Sequence, residues 1–164
     1  MRVIYVRPAG LADVRMMVEL LNAIIAQGGT TAITRPVLPT ELQSKIRLYN
    51  GKNAWFLAED ENGELLGFQY IEPNEQLPSD AADIATFVKI GVTGLGIGSK
   101  LFESTSKAAK TLGYRWINAT IREDNLNGLA YYQSRGFEAY ARQDAFKLQD
   151  GTIVNRIKKR FNLG

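Results

Sequence analysis

The chain has 164 residues, 45% hydrophobic and 23% charged, a composition that suits one globular domain over residues 1–164 with a core of its own rather than a disordered chain. It contains no Cys and no His, which excludes disulfides, thiolate nucleophiles, Cys/His zinc sites and a Ser-His-Asp triad. Twenty Lys and Arg against 17 Asp and Glu give a net charge of +3, spread along the chain, which is compatible with a phosphorylated ligand.

Arg2 to Arg7 alternate as a first strand, stopped by Pro8. Val14, Met17, Val18, Leu21 and Ile25 then share one helical face, with Asp13 in the first turn and Gly28-Gly29 at the end. A polar loop from Thr30 to Pro36 leads to a second helix over Pro39 to Tyr49. Ala54 to Glu59 and Leu65 to Ile71 are two strands joined through Asn62-Gly63, a strong hairpin signal. After a loop from Pro73 to Ser79, Asp83 to Val92 reads as a long strand and Leu95 to Leu112 as an amphipathic helix closed by Gly113. Trp116 to Ile121 is a strand, Gly128 to Arg135 a short helix, and Phe137 to Leu148 with Thr152 to Arg160 a final hairpin. The order β-α-α-β-β-β-α-β-α-β-β predicts an α/β (α+β) fold with a mixed sheet. The charged run Arg156 to Arg160 is expected on a solvated edge, with the adenosine phosphate of a ligand or a partner subunit as other uses.

No apolar run approaches the ~20 residues of a membrane span. The N-terminus lacks the features of a signal peptide, and nothing resembles a nucleic-acid-reading helix or strand. The expectation is a cytoplasmic protein without membrane or nucleic-acid partners and without a bound metal. A homodimer is compatible with it.

The main chemical signal is the run from Val88 to Ser99, in which a strand leads into three alternate glycines, Gly94, Gly96 and Gly98, that open a helix. Glycines let a ligand approach the backbone, and the first N–H groups of a helix lack internal partners, so the turn suits a diphosphate. A Walker A loop fails, because Ile97 stands where Lys is needed. A dinucleotide fingerprint is weak, with Ser99 at its last glycine position and no acid at the proper distance. The pattern [QR]-x-x-G-x-[GA] fits everywhere except its first position, which is Thr93.

About thirty residues on stand Asn125, Gly128, Tyr132, Gly136 and Phe137, spaced as N-x-x-A-x-x-x-Y-x-x-x-G-F with Gly in place of Ala. With the glycine loop and the element order, this resembles the GNAT superfamily of acyl-CoA-dependent N-acyltransferases over nearly the whole chain. More loosely, the Asn22-to-Ile25 helix end followed by Gly28-Gly29-Thr30-Thr31-Ala32 is similar to the amino-acid and phosphinothricin N-acetyltransferase branch. The resemblance implies a GNAT-like, mostly antiparallel central sheet flanked by helices. It implies acetyl-CoA as co-substrate, a small-molecule amine as acceptor, and direct attack in a ternary complex. Two alternatives are a coenzyme A-binding module with little turnover and a peptide or protein acetyltransferase.

Residue by residue, the resemblance places the pantetheine arm along Phe87, Val88 and Lys89, the coenzyme loop over Thr93, Gly94, Leu95, Gly96, Ile97, Gly98 and Ser99, and the diphosphate on the N–H groups of Gly94, Gly96, Gly98 and Ser99 within it. Leu95 and Ile97 pack inward, and Asn125 and Asn127 lie near the coenzyme. Tyr132 aligns with the family's general acid, which assists the departing thiolate. Tyr131, about 100° round the helix, is expected to aim elsewhere. Asp83 is the candidate base, with Glu72 and a water chain beside it, and Thr30, Thr31 and Arg35 are candidates for the acceptor pocket. Thr93 removes a side-chain contact near the phosphates, and Gly128 weakens a short helix by roughly 1 kcal/mol.

Overall fold

The computed structural model describes residues 3–92 and 95–164. Arg2, at the start of the expected first strand, and Thr93 and Gly94, in the glycine loop, lie outside the described residues. The elements run β1 (Ile4–Pro8), a 3₁₀ turn (Leu11–Asp13), α1 (Val14–Gln27), α2 (Pro39–Leu48), β2 (Ala54–Asp60), β3 (Leu65–Glu72), β4 (Ala81–Val88), α3 (Ile97–Thr111), β5 (Trp116–Arg122), α4 (Leu126–Ser134), β6 (Glu138–Lys147) and β7 (Ile153–Asn162). The expected element order is observed. The strands form one sheet in the order β1-β2-β3-β4-β5-β7-β6, antiparallel at every pairing except β4–β5.

Two apolar layers cover the sheet. On one face, Met17, Leu21 and Leu42 from α1 and α2 pack on Trp55, Leu57, Phe68, Tyr70 and Phe87. Trp55 stacks on Tyr70 with ring centroids 4.0 Å apart. On the other face, Phe102 and Ala109 of α3 and Tyr132 of α4 meet Ile84, Ile117, Ala119, Ile121 and Phe137. Ile97 and Leu101 join Ile4, Ala58 and Leu66 beside them. The apolar stripe on α1 is therefore the buried one, and both tryptophans are core residues.

Several boundaries differ from the sequence expectation for local reasons. Strand β4 ends at Val88 rather than Val92, because the chain turns at Lys89, with the Val92 N–H bonded to the Lys89 carbonyl at 3.2 Å. Helix α3 starts at Ile97 rather than Leu95, since Gly96 is left-handed at φ +70°, a conformation costly for other residues. Helix α4 starts at Leu126, two residues early, because the Asn125 side chain caps it by accepting from Gly128 N–H. Asp13 does more than meet the α1 dipole. It is buried, accepts the Gly10 N–H at 2.8 Å, and pairs with the Arg7 guanidinium at 2.8 Å. The run Arg156 to Arg160 is not an edge: β7 lies between β5 and β6, and Lys159 is buried there.

The fold creates its site by an incomplete pairing. Strand β4 pairs with β3 from Asp83 to Val88 but with β5 only at Ala81, Ala82 and Asp83. Beyond that point the two parallel strands part. Lys89 N–H bonds the Leu66 carbonyl, so by antiparallel alternation Asp83, Ala85 and Phe87 turn their backbone groups to β3. The backbone groups of Ile84, Thr86 and Val88 then face the gap.

Candidate functional site

A cavity of about 710 Å³ opens at this gap. Its walls come from the end of α1 and its loop, the second half of β4, the first turn of α3, and α4. Of the sequence candidates, Phe87, Val88, Lys89, Leu95, Gly96, Ile97, Gly98, Ser99, Asn125, Asn127, Tyr132, Thr30 and Thr31 line it. Arg35 is exposed and Asp83 is not on the lining.

The first turn of α3 presents the N–H groups of Ile97, Gly98 and Ser99, which have no partner within the helix. They sit at the positive end of a helix of 15 residues, an arrangement that favours anions. Gly98 is required by its neighbour: a Cβ there would lie 2.5 Å from Cε1 of Tyr131. The Tyr131 hydroxyl donates to the Gly98 carbonyl at 2.7 Å, which ties α4 to the start of α3.

Gly128 has a similar explanation, and it changes the account of that position. A Cβ on Gly128 would meet Asn125 Nδ2 at 2.4 Å. The missing side chain makes room for an amide that caps α4 with its oxygen and donates to the Thr30 carbonyl at 3.1 Å with its nitrogen. Arg122 fixes the same loop through the Thr31 carbonyl at 3.1 Å. Thr30 and Thr31 are therefore held against the cavity by backbone contacts.

Tyr132 is buried, and its hydroxyl lies 2.8 Å from Oγ1 of Thr86. Burial pushes its phenol well above the ordinary value, against the pull of the Thr86 hydrogen bond. Tyr131 is pushed up to about 12, also by burial, with the hydrogen bond from Gln69 opposing. The shortest contacts of the two hydroxyls differ, Gly98 O for Tyr131 and Thr86 Oγ1 for Tyr132, although Thr86 also lies near Tyr131. Yet Gln69 joins them, since its Nε2 donates to Thr86 Oγ1 at 2.9 Å and to the Tyr131 hydroxyl at 3.1 Å.

Gln69 and Thr86 were not singled out by the sequence reading. The available signal was a lone amide inside Leu65–Ile71 and a lone hydroxyl inside Ile84–Val88, each a polar group in an otherwise apolar strand. Arg135 was also missed. It lines the cavity as a cationic group whose buried Nε has no hydrogen-bond partner among the described residues.

The other face of the sheet carries a second polar group of residues. Glu72, Asp83, Asn118 and Arg160 stand in register across β3, β4, β5 and β7. The Asp83 carboxylate accepts from Asn118 at 3.0 Å and from Asn74 at 3.1 Å. Burial raises the Glu72 carboxyl, while Lys45, at 2.7 Å from Oε2, opposes the shift. Asp83 and Thr86 have opposite parity on β4, so Asp83 lies on the α1–α2 face and Thr86 on the face of α3 and α4. Among the described residues no group of three or more His, Cys, Asp or Glu is placed to hold a metal ion, and no helix is long and apolar enough to cross a membrane.

Comparison with known proteins agrees with this geometry. The sequence model described as the Acetyltransferase (GNAT) family matches residues 21–137. YwnH of Bacillus subtilis, provisionally designated a phosphinothricin acetyltransferase, is 26% identical over 141 residues, covering 85% of this chain and 86% of that protein. A phosphinothricin N-acetyltransferase of Streptomyces viridochromogenes is 24% identical over 140 residues, covering 84% of this chain and 76% of that one. Among solved structures, a GNAT superfamily phosphinothricin acetyltransferase from Sinorhizobium meliloti, in complex with acetyl-CoA, superposes with a TM-score of 0.87 at 22% identity. That match covers 98% of this chain and 89% of the other.

Proposed function

This chain belongs to the acetyltransferase (GNAT) family, and on that premise we propose that it moves the acetyl group of acetyl-CoA to the primary amine of a small molecule by direct attack in a ternary complex. The observation that carries the reading is the parting of β4 from β5 after Asp83, which leaves the backbone edge of Ile84, Thr86 and Val88 beside an anion-friendly helix start. A pantetheine arm fits that edge as a substitute strand, pairing with Val88. The diphosphate fits the free N–H groups of Gly98 and Ser99, with Arg135 as a further positive contact. Leu95 packs on the core beside Ile97, and Phe87, Lys89, Asn125 and Asn127 complete the walls.

The acceptor amine reaches the thioester from the α1–α2 face, where Asp83 and the Thr30–Thr31 loop lie. Its nitrogen attacks the thioester carbonyl carbon and the carbon–sulfur bond breaks. Asp83, directly or through water, takes the proton that the nitrogen sheds. Tyr132 supplies a proton to the departing sulfur and regains one from solvent. The raised phenol pKa keeps Tyr132 protonated at neutral pH, in the form this role needs. A thioester is already activated, so neither a Cys nor a His is required.

Thiol release from acetyl-CoA, measured across a panel of small amines and amino acids, tests the proposal. Turnover on at least one of them, first order in amine and without an acetylated enzyme form, is the expected result. Tight coenzyme binding with no turnover on any of them overturns it and leaves a coenzyme-binding module.

A further inference from the structure

The hydrogen bonds behind Tyr132 have a direction, and it follows from one carbonyl. Gly98 O has no proton, so the Tyr131 hydroxyl must donate to it. Tyr131 has then spent its only proton, and whatever meets its oxygen from Gln69 must be a donor. This fixes the Gln69 amide with Nε2 toward Tyr131 and Thr86; turned the other way, Oε1 would face an oxygen with no proton to share. The cost is visible, because Gln69 is fully buried and its Oε1 has no partner among the described residues.

The polarity continues outward. Thr86 Oγ1 accepts a proton from Gln69, and the Tyr131 oxygen, which also lies near Thr86, already accepts from Gln69, so the Thr86 hydroxyl proton goes to the Tyr132 oxygen at 2.8 Å. With Thr86 donating, the Tyr132 proton is released to point into the cavity that its side chain lines. Gln69 and Thr86 stand opposite each other on β3 and β4, on the face that α3 and α4 cover, so two rigid strands hold the pair in place.

We propose that Gln69 and Thr86 are positioning residues that aim the Tyr132 proton at the sulfur of the leaving group and hold the phenol oxygen as that proton departs. This rests on the reading of Tyr132 as the acid. As the carbon–sulfur bond breaks, the sulfur takes the Tyr132 proton and the phenol oxygen keeps the electron pair. Thr86 donates to that oxygen, which would otherwise become a buried phenolate with no donor. The phenol is restored from solvent after the thiol leaves. Thr86 thus opposes the burial of Tyr132 at the moment when burial is most costly.

The test compares Thr86→Val, which keeps the shape without the hydroxyl, with Thr86→Ser, which keeps the hydroxyl, in the presence and absence of Tyr132→Phe. Thr86→Val is expected to lower kcat about tenfold or more with KM for acetyl-CoA nearly unchanged, and Thr86→Ser to recover most of the loss. In the Tyr132→Phe background Thr86→Val should cost nothing further. The Cζ carbon NMR signal of Tyr132, which reports the hydrogen bond to its oxygen, should move in Thr86→Val and in Gln69→Leu and stay put in Thr86→Ser. Matching thermal melts confirm that the variants fold. An unmoved Cζ signal in Thr86→Val, or losses that simply add in the double variant, overturns the proposal. Full turnover by Tyr132→Phe overturns the acid reading instead, while the Cζ signal still reports whether Thr86 and Gln69 orient the phenol.

Discussion

The two edges of β4 do opposite things with the same chemistry. Toward β3 the strand is paired from Asp83 to Val88, and the side chains along that seam include Phe68 and Phe87, packed with centroids 5.1 Å apart. Toward β5 the pairing stops after Asp83, and the backbone groups beyond it face a cavity. One seam is finished by the protein and the other is left for a ligand to finish. A backbone donor and acceptor unpaired in the interior are costly unless something pairs them. A substrate that adds a strand there supplies what the fold omits, and it does so at a place held rigid by the completed seam.

The contrast can be broken on either side. Phe68 is fully buried in the β3 seam, and Phe68→Ala should lower unfolding stability by about 3–5 kcal/mol, measured by denaturant melts. At the open seam, Tyr132→Phe removes one oxygen atom. It should cut kcat about a hundredfold while stability falls by only about 1 kcal/mol. Steady-state rates with paired melts would show the separation; a variant that loses stability and kcat in parallel would erase the distinction between the seams.

Smaller effects sharpen the same comparison. Gly98→Ala pushes a methyl against Tyr131 and shifts the start of α3, so acetyl-CoA affinity should weaken about tenfold, equivalent to roughly 1.4 kcal/mol, by calorimetric titration. Far from both seams, the Arg7 guanidinium holds the Asp13 carboxyl below the usual carboxylate range. A depressed carboxylate adds stability above its unfolded value of about 3.9 and loses it as pH falls through the folded one. The difference in Tm between the parent and Asp13→Asn should therefore be largest near neutrality and close at more acid pH, without a change in coenzyme affinity.

Much of this was legible in the sequence, for identifiable reasons. Helix α1 declares itself by periodicity, and the β2–β3 hairpin by Asn62-Gly63. The glycine loop and the spacing from Asn125 to Phe137 mark the coenzyme seat. What was not legible depends on where a chain pairs or stops pairing. The apolar run through Val92 looks like strand to its end, but Gly91 at φ +82° and the bond from Val92 back to Lys89 turn it. The charged run on β7 looked like an edge because sheet order is a tertiary property, and β6 took the outside position. Gln69 and Thr86 gain their meaning only from the register that sets them opposite each other. Gly128 read as a weak helix residue until the Asn125 amide filled its space.

The central claim is that the open edge of β4 is where acetyl-CoA pairs, and residue-resolved amide hydrogen exchange tests it most directly. Phe87 N–H belongs to the completed seam with β3 and should exchange slowly with or without ligand. Val88 N–H faces the gap, and acetyl-CoA should slow its exchange markedly, together with Gly98 and Ser99 at the start of α3. Exchange at Val88 that stays fast under saturating acetyl-CoA would contradict the account.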